Sequence, residues 1–352
     1  FPDNPPPFEM TQSLSEIALS GPHQYSITFG AQDTREALSA KIEHFSGLRY
    51  NPDTELCITC GGTEAMMSAV MATLNPGDKI AIFSPFYENY GADAILCGAE
   101  PIYVPLHTPD FSFDEKELEK AFSQGAKALI LCNPSNPSGK VFTRDELLTI
   151  AKLVEKYNAF VITDEVYEHI IFEPYTHTYF ASLDGMRERT IMCNSLSKTY
   201  SITGWRLGYV AAPPEVMDRI RKVHDFLTVG AAAPLQKAII KGLTLPDSYY
   251  QDVRALFTHR KNLFCGGLKK LNLDFYEPQG TYFVLVDISS FGYDDDYQFC
   301  LDLANKIKVG AVPGSSFFKE KENRYIRLHF AKSDEVLNSA LKNLEDIHLL
   351  KK

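Results

Sequence analysis

One lysine, Lys198, stands among hydroxyl side chains in 194-NSLSKTYSITGWRLGYV-210, between segments that read as buried strands. An amine in that setting can form a Schiff base with a carbonyl or activate a neighbouring hydroxyl. A lone lysine near a turn is otherwise a solvated charge. Ser195 and Lys198 also spell S-x-x-K, a nucleophile motif of penicillin-binding proteins, which requires S-D-N and K-T-G elements as well. Here Thr199-Tyr200 follow the lysine and no S-D-N occurs, so that chemistry ranks low.

Other residues can supply complementary chemistry. Gly61-Gly62-Thr63 joins an apolar strand to a helical stretch, where bare N–H groups and the helix dipole suit a phosphate; a capped tight turn is the bland alternative. Asp164 ends an apolar run, where a carboxylate requires a cation or strong donors; taken in isolation, a helix cap is the favoured explanation. Tyr167 follows three residues later, as a ligand phenol or a core aromatic. Asn136 lies between Pro134 and Pro137, which restrict its backbone. Tyr87, after Pro85, can stack on a flat ligand or simply pack.

The elements that must position these groups read as strand, turn and helix in alternation. Apolar strands are expected at 56–60, 79–84, 101–106, 127–132, 159–164, 190–195 and 207–212, with helices at 63–74, 114–125 and 143–158. Thr143 and Glu146 form a capping-box signature for the last of these. The pattern predicts an α/β fold: a mostly parallel central sheet with helices on both faces. After about residue 245 a helix over 247–271, strands at 281–288, 309–314 and 324–330, a helix near 296–307 and a closing helix suggest a smaller α+β part. The expected division is a large domain over 30–245 and a small one from 246–352 with 1–29. Ligands bind beyond the carboxyl ends of such strands, which gathers the glycine turn, Tyr87, Asn136, Asp164, Tyr167 and Lys198 at one cleft. Pyridoxal 5'-phosphate is the cofactor that uses a lysine anchor, an anion cradle and a carboxylate at a ring nitrogen.

The segments 1-FPDNPPP-7, 61-GGTEA-65, 85-PFYENY-90, 133-NPSNPSGKVF-142, 163-TDEVYEH-169, 195-SLSKTYSITGWRLGY-209, 279-QGTYF-283 and 325-YIRLHF-330 resemble those of the class I/II aminotransferases of fold type I. The resemblance runs nearly end to end and is nearest the kynurenine/glutamine and methionine aminotransferase-like branch. It implies that Lys198 anchors pyridoxal phosphate and shuttles the substrate proton. Asp164 would pair with the ring nitrogen, Tyr167 and Asn136 with the ring oxygen, and Tyr87 would stack on the ring. Gly62, Thr63, Ser195 and Arg206 would hold the phosphate, and Arg327 the substrate carboxylate. Tyr25 would reach the phosphate of a neighbouring subunit, which implies a homodimer with active sites at the interface.

The reaction implied is transfer of an amino group from an L-amino acid to a 2-oxo acid. Aspartate-specific members carry a second arginine near the position of 226-FLTVGAAAP-234, which has none, so a neutral, aromatic or sulfur-containing donor is expected. A carbon–sulfur β-lyase and a non-enzymatic cofactor-sensing module are the alternatives. In many relatives a glycine touching the substrate carboxylate stands just before F-P-D; this sequence starts at Phe1. The 352 residues carry a net charge of −10 with no basic stripe, which argues against a nucleic-acid partner, and no apolar run reaches a membrane span. Seven scattered cysteines predict free thiols and a cytoplasmic location. Cys57 and Cys60 read as core residues, with no second pair to make a metal site.

Overall fold

The computed structural model describes residues 2–352. Eight strands form the large sheet: β1 (Leu56–Thr59), β2 (Lys79–Ser84), β3 (Glu100–His107), β4 (Ser112–Phe113), β5 (Ala126–Cys132), β6 (Phe160–Asp164), β7 (Thr190–Ser195) and β8 (Gly208–Ala211). Their spatial order is β1-β8-β7-β6-β5-β2-β3-β4. The run from β7 through β6, β5 and β2 to β3 is parallel. Strands β5, β6 and β7 are buried almost throughout because helices cover both faces.

Strand β8 departs from that run: it lies antiparallel between β7 and β1. It thereby places Gly208 opposite Ser195 on one side and opposite Thr59 on the other. An apolar run carries no direction, so the sequence predicted the strand but not its sense.

Helix ends follow local chemistry. Thr143 caps the helix Arg144–Lys156, and Glu146 returns the bond to the Thr143 N–H, as the capping box predicted. The helix Asp247–Lys270 turns Tyr250, Val253, Phe257, Phe264 and Leu268 inward, a one-sided stripe. It backs a three-stranded antiparallel sheet of β9 (Phe283–Asp287), β10 (Val312–Pro313) and β11 (Tyr325–His329), ordered β10-β11-β9. The helix expected near 296–307 is divided into an α-helix, Asp296–Asp302, and a wider π-turn, Leu303–Ile307.

The N-terminal segment bridges the two sheets' surroundings. Met10 of the helix Phe8–Ser20 is fully buried in the cluster that holds Tyr200 and Ile239. Asp3 accepts a bond from the Ser333 N–H and lies 3.7 Å from Arg260. All seven cysteines are free thiols; Cys57 is buried and Cys60 only partly so. No helix among the described residues is long and apolar enough to cross a membrane, and none of their His, Cys, Asp and Glu side chains cluster to hold a metal.

Candidate active site

A cavity of about 520 Å³ opens at the carboxyl ends of β1, β6 and β7. Lys198, Asp164, Tyr167, Gly62, Thr63, Tyr87, Asn136, Ser195, Arg206 and Arg327 all line it. Tyr25 does not: it is 88% exposed and borders a separate surface hollow of about 510 Å³.

One end of the cavity is cationic and rich in N–H groups. The helix Gly62–Thr73 starts there with no side chain capping it, after Gly61 at φ 86°. Its first N–H groups therefore lack intrahelical partners. Close packing explains the glycines. A Cβ on Gly61 would lie 2.5 Å from Arg206 Nη2, and one on Gly62 3.1 Å from Ser195 Cβ. A Cβ on Gly208 would lie 2.5 Å from the Gly61 carbonyl carbon. Ser195 and the Arg206 guanidinium, on a left-handed residue at φ 54°, close the other sides. Helix dipole, hydroxyl and guanidinium together fit a doubly charged phosphate.

At the cavity floor, Asp164 Oδ2 accepts from the Tyr90 hydroxyl at 2.7 Å and Oδ1 from the Val166 N–H at 3.2 Å. Burial raises the carboxyl above its ordinary range, while Tyr90, the Val166 N–H and Lys198 pull it back. A carboxylate so placed fits a protonated ring nitrogen. Tyr167 is buried and packs edge-on against Tyr282, with ring centres 5.4 Å apart. Burial pushes its phenol well above the usual value, so it stays a proton donor. Lys198 lies on a one-turn helix, Leu196–Thr199, capped by Ser195 through the Ser197 N–H. Its amine sits 5.9 Å from the Tyr282 ring centre.

The opposite wall comes from the three-stranded sheet. The Arg327 guanidinium is held between Phe283 and Phe317, 4.1 and 4.2 Å from their centres. It donates to Asn136 Oδ1 at 2.7 Å, which leaves the Asn136 amide hydrogens for another acceptor. Burial lowers the Arg327 pKa, yet a guanidinium stays charged. Phe317 and Tyr90 were not singled out from sequence, nor was His329, whose imidazole burial pushes down to about 4. Type alone does not separate such aromatics from core residues. Position does, since His329 and Arg327 alternate along one face of β11.

The model of the family "Aminotransferase class I and II" matches residues 3–344. The solved N-succinyldiaminopimelate aminotransferase of Mycobacterium tuberculosis superposes with a TM-score of 0.95 at 34% identity, covering 99% of this chain and 91% of that one. Methionine aminotransferase of Escherichia coli (strain K12) is 32% identical over 99% of this chain and 90% of its own. Kynurenine–oxoglutarate transaminase 3 of Mus musculus is 32% identical over 97% and 82%. Anion cradle, floor carboxylate, lysine and clamped arginine meet in one cavity on this fold, and the chain belongs to the class I and II aminotransferases, enzymes that depend on pyridoxal phosphate.

Proposed function

We propose that the protein transfers the amino group of a neutral, aromatic or sulfur-containing L-amino acid to a 2-oxo acid. The observation that carries this reading is Arg327: a guanidinium fixed by Asn136 and two phenyl rings, facing the cavity that holds Lys198. A fixed fork of that kind suits a planar α-carboxylate.

Bound pyridoxal phosphate supplies an aldehyde for the amino group and a ring that draws electrons from the α-carbon. Gly62, Thr63, Ser195 and Arg206 would hold its phosphate, and Tyr87 would face its ring. Asp164 would keep a proton on the ring nitrogen, and Tyr167 and Asn136 would donate to the ring oxygen. Lys198 anchors the cofactor between turnovers, and its amine takes the proton from the substrate α-carbon. Arg327 orients that carbon by holding the carboxylate.

The rest of the cavity wall supports an uncharged side chain. Besides Arg206 and Arg327 no arginine lines it among the described residues, and Pro2, Tyr282 and Val312 add apolar surface. Two of the relatives, a methionine and a kynurenine aminotransferase, point the same way, while a third is named for N-succinyldiaminopimelate. Residues 30–245 are read as the cofactor-holding domain and 246–352 with 1–29 as the substrate-clamping one. A homodimer in the cytoplasm completes the reading. Exposed Tyr25, Ile27, Phe226 and Val229 support the interface, and the free thiols support the reducing compartment.

A panel of amino acids added to the yellow holoenzyme tests the proposal. Methionine or aromatic donors should bleach the cofactor absorbance, and a 2-oxo acid should restore it. Aspartate acting as the best donor would overturn the substrate assignment.

A further inference from the structure

His224 is fully buried in the last turns of the helix Pro214–Thr228, and both its ring nitrogens face acceptors. Nε2 is 2.8 Å from the Thr28 carbonyl oxygen, which can only accept, so Nε2 carries a proton. Nδ1 is 2.5 Å from Glu64 Oε1. The Glu64 oxygens also face the Cys60 N–H at 2.5 Å and the Thr228 hydroxyl at 3.0 Å, nearer to it than the two alternative acceptors of that hydroxyl, His224 Nδ1 and the His224 carbonyl, both at 3.3 Å. That is the donor pattern of an ionised carboxylate, so Nδ1 is protonated too and the ring is an imidazolium.

The location gives this pair a consequence. Glu64 lies in the first turn of the helix whose N-terminus carries Gly62 and Thr63, one residue from the cradle. An unpaired carboxylate there would repel a bound phosphate. The imidazolium cancels that charge and also ties the cradle to the 27–30 segment, three residues beyond Tyr25. Both helix dipoles favour the arrangement: the anion sits at one helix N-terminus, the cation near another's C-terminus.

We propose that the His224–Glu64 pair is a proton-operated latch on the phosphate site, holding the cofactor tightly while His224 is charged and loosening it when the proton leaves. His224 is thus a positioning residue, and the inference rests on reading Gly62 and Thr63 as phosphate ligands. The titratable neighbours are Glu64 and Cys60 from the cradle side and Asp225 from its own helix. Burial lowers the imidazole pKa, but the bonds and charge of Glu64, the Thr28 carbonyl and Asp225 outweigh it and raise it overall. Burial, followed by Glu64, raises the Cys60 thiol, which leaves it neutral. Because the His224 pKa is raised, the latch is fully closed below the ordinary histidine range and opens as pH climbs through the raised value.

The test compares cofactor release from the wild-type holoenzyme, His224→Gln and Glu64→Gln across neutral to alkaline pH, followed by loss of cofactor absorbance on dilution. The wild type should release about tenfold faster once His224 is neutral, the effect of losing one charge-assisted hydrogen bond, and both variants should lack that step. Nuclear magnetic resonance of the wild-type holoenzyme with nitrogen-labelled histidine needs no variant, and should show two N–H groups on the His224 ring at neutral pH. A singly protonated ring there, or the same pH dependence in all three proteins, overturns the latch. Equal affinity for pyridoxal phosphate and unphosphorylated pyridoxal contradicts the cradle itself. A preference for the phosphate that does not change with pH contradicts only the latch.

Discussion

Tyr90 donates its phenol hydrogen to Asp164 Oδ2 across 2.7 Å, although Tyr90 does not line the cavity that Asp164 opens onto. A residue behind the site thus helps to set the charge of one inside it. With the hydroxyl gone, burial dominates and Asp164 holds its proton to higher pH. Activity needs the ionised form, so it falls as pH drops through that raised value. In Tyr90→Phe the acid limb of kcat should move to higher pH, with roughly tenfold slower turnover at neutral pH from losing a bond to a charged group. An unmoved acid limb contradicts this role.

Lys198 faces the cavity and gives the fold little beyond its approach to the Tyr282 ring, a contact worth about 0.5–1 kcal/mol. Lys198→Ala should therefore abolish turnover while leaving Tm nearly unchanged. Steady-state assays and a melting curve on the same preparation check both halves, and normal turnover would sink the assignment.

Replacing Arg327 by lysine keeps a charge but removes the planar fork. The loss of one charge-assisted bond, about 2 kcal/mol, corresponds to roughly thirtyfold in KM. The increase should appear for amino acid and oxo acid alike, because both present the same carboxylate. A rise for only one of them would place Arg327 elsewhere.

The buried Lys41–Glu168 ion pair, 2.7 Å long, supports the site from below. Glu168 also accepts from Tyr179 at 2.6 Å and from Asn194 at 3.1 Å, and Asn194 in turn accepts from the Ser195 N–H. Burial works to raise the Glu168 carboxyl, but Lys41 and His169 outweigh it and hold it well below its usual range. A depressed acid contributes stability above its unfolded pKa and loses it as pH falls through the folded one. Lys41→Met should cost about 3–5 kcal/mol in denaturant unfolding at neutral pH. That deficit should shrink in acid, and a constant deficit would argue against the charge.

Much of this was legible in the sequence because apolar runs bounded by polar turns mark strands whichever way they pair. Thr143 and Glu146 announced their helix, and the residues after 59, 132, 164 and 195 met at one cavity. Strand sense was not legible, which is why β8 entered the sheet antiparallel without warning. Tyr90 and Phe317 were hidden because their contributions depend on what they touch, Asp164 and Arg327, rather than on their type. His224 was hidden for the same reason: its ring nitrogens face acceptors from two separate segments, Thr28 and Glu64. Tyr25 is exposed and lies outside the cavity, and the role proposed for it requires a second subunit.

Gly208 faces both Ser195 and Thr59, and its Cβ would press on backbone atoms of Gly61, Gly62 and Asn194. Gly208→Ala should force that row apart, costing about 1–3 kcal/mol of stability and weakening retention of pyridoxal phosphate more than it weakens the melting transition. A thermal scan with and without cofactor measures the difference, and equal stabilisation of wild type and variant would contradict it.

The same row has a meaning for how the chain reaches its native state. Strand β1 lies far in sequence from β7 and β8, and a pairing of that kind closes late and slowly in folding. The phosphate pocket does not exist until it has closed, so the cofactor recognises only chains that have completed the sheet and draws the population toward them by mass action. By that linkage the yield of folded protein should rise when pyridoxal phosphate is supplied during folding, and Gly208→Ala should blunt the rise.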